Sequence, residues 1–210
     1  MARPYPEIAG KNLPYFEGWT KEIFNSDLTR PTLPQEMPTE DKYPKPNISQ
    51  ENLLQIIQLN ISYSLKGIDR MIRAHGQTLH DIFTLRSGMF PRIPDVVLWP
   101  TCHDEVAKIV ELATRLNVVI LVFGGGTAVS GAVECPANES RTIISLDTSQ
   151  MNRILWVDRE NLVACIESGI IGQDLERELK NLGYTTGHEP DSYEFSSLGG
   201  WVATRASGNC

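Results

Sequence analysis

No run of apolar residues in this 210-residue chain is long enough to cross a bilayer. The longest, residues 118–123, falls far short of the roughly 20 residues a spanning helix needs. Cysteine is sparse and dispersed. Cys102, Cys135, Cys165 and Cys210 form no Cys-x-x-Cys pair, which argues against a zinc site or disulfide framework and for free thiols in a reducing or intracellular compartment. Runs of lysine and arginine are missing and the formal charge is −7, so a nucleic-acid footprint is not expected. The opening residues carry early prolines and lack the apolar core of a signal peptide. What remains, 41% hydrophobic and 21% charged, is an ordinary globular composition, sized for one domain or a domain with a tail.

Organisation changes along the chain. Residues 1–26 mix aromatics with polar residues without a clear period. Pro31, Pro34, Pro38, Pro44 and Pro46 then exclude a helix or central strand, so residues 1–50 read as an extended, proline-rich arm. From Ser49, a plausible N-cap, Leu53, Ile56 and Ile57 fall at helical spacing. A second helical stretch is expected over 64–85, broken near Gly76, so 51–90 reads as a helical region. His75 and His80 are five apart, a poor metal spacing, and no metal site is expected.

The pattern sharpens after Pro91. Residues 96–99 read as a buried strand, Thr101 and Asp104 as a capping box, and Val106, Ile109, Val110, Ala113 and Leu116 as one face of a helix ended by Asn117. Residues 118–122 form the next strand, which makes a βαβ unit with a parallel pair. Strands at 142–146, 154–157 and 162–167 follow. A helix over 172–182 presents Ile171, Leu175, Leu179 and Leu182 on its apolar side, with Gly183 as a left-handed stop.

Two segments carry candidate chemistry. Gly124, Gly125 and Gly126 directly follow a strand, and consecutive glycines can adopt positive φ and turn their N–H groups inward as a phosphate-binding nest; Thr127 and Ser130 can add hydroxyls. No Walker lysine follows, and Val129 stands where a Rossmann fingerprint needs glycine. A turn that merely reverses the chain is the alternative. The second segment runs from Gly187-His188-Glu189-Pro190-Asp191-Ser192 through Ser196-Ser197-Leu198-Gly199-Gly200 to Thr204-Arg205-Ala206-Ser207. It has the small and hydroxylated residues an anion needs around it, and Gly199-Gly200 can open a helix aimed at that anion. Tight packing is the alternative there. Together the two segments point to one nucleotide held between them.

The βαβ unit, the 123–129 loop and the Leu198-Gly-Gly-Trp-Val-Ala-Thr-Arg-Ala-Ser-Gly208 string resemble the FAD-binding domain of the vanillyl-alcohol-oxidase (PCMH-type) superfamily. Within it the chain is similar to the alkyldihydroxyacetonephosphate synthase family. The strings that carry this are Trp99-Pro-Thr-Cys-His-Asp104, Asp147-Thr-Ser-Gln-Met-Asn-Arg-Ile-Leu155, Gly187-His-Glu-Pro-Asp-Ser192, Arg73-Ala-His-Gly76 and Phe195-Ser196. The resemblance is strong over 60–208 and faint before Asn47.

It implies an α+β fold: a PCMH-type domain over 91–210, made of two α/β subdomains of which the second is incomplete, behind a helical N-terminal region. It implies noncovalent FAD. Phe123, Gly124, Gly125, Gly126, Thr127, Ala128 and Val129 would cradle the pyrophosphate. Asp191, Ser192, Tyr193, Glu194, Phe195, Ser196 and Ser197, with Thr204, Arg205, Ala206 and Ser207, would line the rest, and His188 would stand near the flavin as a catalytic group, a satisfied hydrogen-bonding core residue being the alternative for it. The implied reaction makes alkyl-dihydroxyacetone phosphate without net oxidation: the fatty acid of acyl-dihydroxyacetone phosphate leaves and a fatty alcohol replaces it. The flavin carries the covalent step and the protein supplies orientation and proton transfer, a task that suits histidine.

The same resemblance implies a peroxisomal location, with no targeting signal visible here, and a homodimer for the longer protein. Because the chain stops after a cofactor motif, it is expected to be catalytically inactive alone. A flavin-dependent 2-hydroxy-acid oxidoreductase, and a non-enzymatic fragment that binds FAD or the full-length enzyme, are the alternatives.

Overall fold

A computed structural model describes residues 7–8, 11–27, 38–87 and 90–206. The chain divides into two compact units, Met1–Met37 and Pro38–Cys210. In the first, β1 (Glu7–Ile8) and β2 (Lys11–Asn12) pair antiparallel, and α1 (Phe16–Phe24) follows, ended by Asn25 in the left-handed region. A helix therefore forms inside the arm expected to be extended. Its aromatics cluster, with Trp19 edge-on to Phe24 at 5.5 Å, an arrangement that a search for periodic aliphatic residues overlooks. Pro31 and Pro34 lie outside the described residues.

The second unit starts within the proline segment and contains Pro38, Pro44 and Pro46. Ser49 caps α2 (Gln50–Gln58), its hydroxyl accepting from the Asn52 N–H at 3.1 Å, as its position suggests. The expected helix over 64–85 is instead β3 (Ser62–Ser64), α3 (Gly67–Ile72) and α4 (Leu79–Ser87). The last begins with a reciprocal cap: Thr78 N–H donates to Asp81 Oδ2 at 3.0 Å, and Asp81 N–H to Thr78 Oγ1 at 2.9 Å. That box satisfies two orphan donors of the first turn and restarts the helix after Gly76.

A four-stranded sheet forms the centre, in the order β3–β4–β6–β5, with β4 (Val96–Trp99), β5 (Val119–Phe123) and β6 (Ile143–Asp147) parallel and β3 antiparallel. Here the expected βαβ pair is corrected. β4 and β5 do run parallel, but β6 lies between them and bonds to both. Its five residues are all buried, and such a strand belongs in the interior of a parallel sheet.

One face of the sheet packs on α2 and α5 (His103–Leu116). Val96, Leu98, Ile144 and Leu146 meet Ile56, Ile109 and Leu112 there. The buried arc of α5 runs through Leu112, whereas Val110 is 47% exposed, so one residue of its expected face was misplaced. The cap differs too. Thr101 gives its N–H and hydroxyl to Glu105 at 2.6 and 3.0 Å, and the N-cap is Cys102, with no side-chain bond. Asn117 does end α5 in the left-handed region, φ 52°.

Beyond the sheet, β7 (Ile154–Asp158) and β8 (Val163–Ile166) form an antiparallel ribbon. α6 (Gly172–Asn181) and α7 (Leu198–Thr204) pack beside it around Ile170, Leu175, Leu179 and Trp201. Gly183 takes φ +87° after α6, as expected of its stop, while Leu182 is 40% exposed and leaves the expected apolar face. Among the described residues no helix is long and apolar enough to cross a membrane. Cys102, Cys135 and Cys165 are free thiols, and burial pushes Cys135 up to about 12. Cys210 lies outside the described residues.

Candidate functional site

Strand β5 with the loop that follows it, and Thr148 directly after β6, open onto a cleft of about 860 Å³, at the end of the sheet where open α/β sheets place their ligands. The volume lies in the roughly 300–1,000 Å³ range of small-molecule sites. β5 delivers the glycine loop to one wall. The other wall is residues 190–206, which α6 and α7 hold in place.

The two walls touch, and this explains the first two glycines. A Cβ on Gly124 would collide with Ser197 Oγ, and one on Gly125 with the Phe195 carbonyl. Neither has positive φ. Only Gly126 does, at +69°, and a Cβ there would also press on the Phe123 ring at 2.7 Å. Three consecutive left-handed glycines are therefore not what forms the loop: two permit close approach and one turns the chain. Among the described residues, none of the N–H groups of 124–130 donates to a protein acceptor. They are half-buried as far as Ala128, and half-buried donors without partners call for a ligand or water.

The opposite wall behaves differently. The Leu198 N–H donates to Ile170 O at 3.0 Å, Gly199 to Ser168 O at 2.7 Å, Gly200 to Ser197 Oγ at 3.3 Å and Trp201 to Ser197 O at 3.0 Å. The first turn of α7 has no donors left, so the expectation that this helix aims free N–H groups at an anion is corrected. The hydroxyls are engaged as well. Ser196 Oγ accepts from the Trp201 indole at 2.7 Å and donates to Ser192 O at 2.9 Å, and Thr204 Oγ1 donates to Gly200 O at 2.8 Å.

Of the residues singled out from the sequence, the cleft is lined by Gly124, Gly125, Gly126, Thr127, Ala128 and Val129 on one side. Asp191, Ser192, Ser196, Ser197, Thr204 and Ala206 line the other. Phe123 is buried beneath the loop. Tyr193 packs with the Ile170 cluster, and Glu194 and Phe195 do not line the cleft, although the Phe195 carbonyl sets the approach of Gly125. Arg205 ends α7 in the left-handed region, φ 52°. Ser207 lies outside the described residues.

His188 is half-buried two residues before the lining segment begins. It meets the Trp201 ring edge-on at 5.5 Å, and its ring nitrogens have no protein partner among the described residues. Glu176 on α6 holds its loop: the carboxylate accepts from Thr186 N–H at 3.0 Å, Thr185 Oγ1 at 2.8 Å and Thr186 Oγ1. The two threonine hydroxyls accept in turn from the Gly187 and His188 N–H groups at 3.2 and 3.1 Å. Burial alone would raise the Glu176 pKa, but the bonds from Thr186 and Thr185 outweigh it and hold the carboxyl below its ordinary value.

Reading from the sequence missed Thr148 and Ser168, which also line the cleft. A Cβ on Gly169 would strike the Thr148 carbonyl, so the Ser168-Gly169 pair was the available signal: a small residue after a strand where another backbone passes. Among the described residues no group of three or more acidic, histidine or cysteine side chains is placed to hold a metal ion.

A diphosphate fits what is present. The unpartnered N–H row supplies donors, Thr127 and Ser130 add hydroxyls, and no carboxylate lines the glycine wall. Fold and cleft together define a nucleotide-binding domain of the flavin type. The chain belongs to the FAD binding domain family, which matches residues 94–210, and FAD is its cofactor. Its fold is the α+β, PCMH-type fold expected from the resemblance.

More particular likenesses follow. Alkyldihydroxyacetonephosphate synthase of Caenorhabditis elegans is 44% identical over 203 residues, 96% of this chain and 34% of that protein. The protein of the same name from Dictyostelium discoideum is 44% identical over 140 residues, 67% of this chain and 23% of that one. A solved alkyldihydroxyacetonephosphate synthase superposes with a TM-score of 0.82 at 35% identity, over 97% of this chain and 39% of that structure. The chain thus spans about a third of the length of the curated relative from C. elegans.

Proposed function

We propose that this chain supplies the FAD-holding part of an ether-lipid synthase that exchanges the acyl group of acyl-dihydroxyacetone phosphate for a fatty alcohol. The observation that carries the reading is the extent of the likeness to the synthases. It covers 96% of the chain, well beyond the 94–210 region common to FAD binding domains. When bound, the flavin supplies the electron-rich centre at which the acyl and alkyl groups are exchanged.

The chain's own residues have separate tasks. The N–H groups of 124–130 hold the diphosphate, with Thr127 and Ser130 as added donors. Ser192, Ser196, Ser197 and Thr204 shape the facing wall, and Ala128 and Val129 give the glycine wall apolar surface. An alcohol that becomes an ether must lose its hydroxyl proton, and His188 is the side chain proposed to take it. Two facts support that role: its ring nitrogens have no protein partner among the described residues, and Trp201 meets its ring edge-on at the cleft's border. The peroxisome is the proposed compartment, on the likeness to the synthases alone.

A chimera tests this reading. The matching third of the C. elegans synthase is replaced by this chain, and the product is assayed for bound flavin and for alkyl-dihydroxyacetone phosphate formation. Flavin uptake with ether formation is the expected result. Flavin uptake with dye reduction by lactate or another 2-hydroxy acid, and no ether, would favour the oxidoreductase alternative. Replacing His188 by Gln in the active chimera should lower kcat at least tenfold with flavin content unchanged.

A further inference from the structure

The glycine loop has two ends, and one short upstream segment, residues 73–77, holds both. At the entry, Arg73 Nε donates to Asp147 Oδ2 at 2.8 Å, and its second nitrogen lies 2.8 Å from the same oxygen. The guanidinium stands 5.1 Å from the Trp99 ring centroid and 5.7 Å from that of Phe123. Trp99, Phe123 and Asp147 are the last residues of β4, β5 and β6. One planar cation therefore ties together the carboxyl ends of all three parallel strands, and Phe123 is the residue from which the loop departs.

At the exit, the Gln77 N–H donates to the Ala128 carbonyl at 2.8 Å. A Cβ on Gly76 would collide with that same carbonyl, so only glycine lets the segment lie this close. Between the two ties the segment is itself fixed. Arg73 Nη1 donates to Asp69 O at 3.1 Å, and His75 stacks on Phe90 at 4.9 Å with the planes 5° apart. Arg73 does not line the cleft, and Asp147 balances its charge.

We infer that residues 73–77 are a brace that presets the curvature of the phosphate loop, and that Arg73 is a positioning residue for the FAD diphosphate. A glycine-rich loop is entropically expensive to order. If both ends are fixed beforehand, the unpartnered N–H groups already converge when the ligand arrives, and affinity rises because less order must be created on binding. The brace lies upstream of residues 94–210, so the functional cofactor unit is larger than the domain that defines its family. This inference rests on the FAD assignment of the cleft and not on the synthase reading.

The test is the FAD dissociation constant of the apo chain, measured by flavin fluorescence for wild type, Arg73→Ala, Arg73→Lys and Arg92→Ala. Arg92 provides the control, because it makes a similar buried pair with Asp95, at 2.6 and 2.8 Å, but at the amino end of β4, remote from the loop. Affinities are compared at a temperature where each variant is folded. Arg73→Ala should weaken FAD at least tenfold, about 1.4 kcal/mol. Arg73→Lys, which keeps the charge but not the flat fork, should fall between it and wild type. Arg92→Ala should lower the melting temperature yet stay within twofold of wild-type affinity. Should Arg73→Ala not fold, Arg73→Lys and Gly76→Ala carry the comparison. Equal losses in the Arg73 and Arg92 variants, or unchanged affinity in the Arg73 variants, would overturn the brace alone. A wild-type chain that takes up no FAD would overturn the loop assignment along with it.

Discussion

The two walls of the cleft are built from the same kinds of residue and do opposite things. Residues 124–130 and 192–201 both combine glycines with hydroxylated residues, and both follow a strand or an extended stretch. In the first the main-chain donors meet no protein acceptor among the described residues. In the second they are consumed by Ile170 O, Ser168 O and Ser197. Composition tells where a backbone can come close to something. Whether that something is a ligand or another backbone depends on which acceptors the rest of the chain brings, and the β8–α6 turn brings them only to the second wall. The glycine wall is therefore the proposed anion-binding surface, and the serine wall is the buttress that fixes its distance.

The largest expected effect separates these roles at their point of contact. Gly125→Ala drives a Cβ into the Phe195 carbonyl, and with backbone on both sides neither can yield cheaply. A loss of about 2–3 kcal/mol in stability is expected from this overpacking, with FAD affinity reduced a hundredfold or more. Urea unfolding and flavin titration of the same variant measure both. Next comes the buttress. Ser196→Ala leaves the buried Trp201 indole N–H without its partner at 2.7 Å, an expected loss of about 2 kcal/mol. FAD affinity should fall much less than with the glycine change. If the serine variant lost more affinity than Gly125→Ala, the division of labour between the walls would be reversed.

Ser49→Ala should lower stability by about 1 kcal/mol through loss of the α2 cap and leave FAD affinity untouched, since the cap lies far from the cleft along the chain and on the α5 side of the sheet. The smallest expected effect is a pH dependence at the loop that carries His188. Glu176 has a lowered folded pKa. Its contribution is therefore fully present above the ordinary carboxylate value of 4.5 and is lost as pH falls through the lower folded value. The difference in melting temperature between wild type and Glu176→Gln should shrink on acidification from pH 6 to below 4. A difference that grew instead would contradict the staple.

Much of this was readable from the sequence, for reasons that stand out residue by residue. β4, β5, β6, β7 and β8 fall within a residue or so of their expected places, because short β-branched runs bounded by Pro100, Asn117 and Asn161 have few other conformations open to them. α6 and its Gly183 stop were legible for the same reason. β3 was not, because Ser-Tyr-Ser has no apolar period and is a strand only through its pairing with β4. Nor was the strand order, since β6 enters between β4 and β5 after a loop whose path no local pattern encodes. At the site, the glycine loop and most of the facing residues were identifiable by type. The used-up donors of α7 and the reach of Arg73 to three strand ends depend on long-range contacts, and residue type alone did not disclose them.

The comparison of the walls can be read directly by amide NMR of the 15N-labelled chain titrated with FAD. The N–H resonances of residues 124–130 should move strongly downfield as they gain a charged acceptor, while those of Leu198, Gly199 and Gly200 should shift little, because their hydrogen bonds are already made. Large shifts at 198–200 with the glycine loop unmoved would contradict the assignment of the diphosphate to the glycine wall.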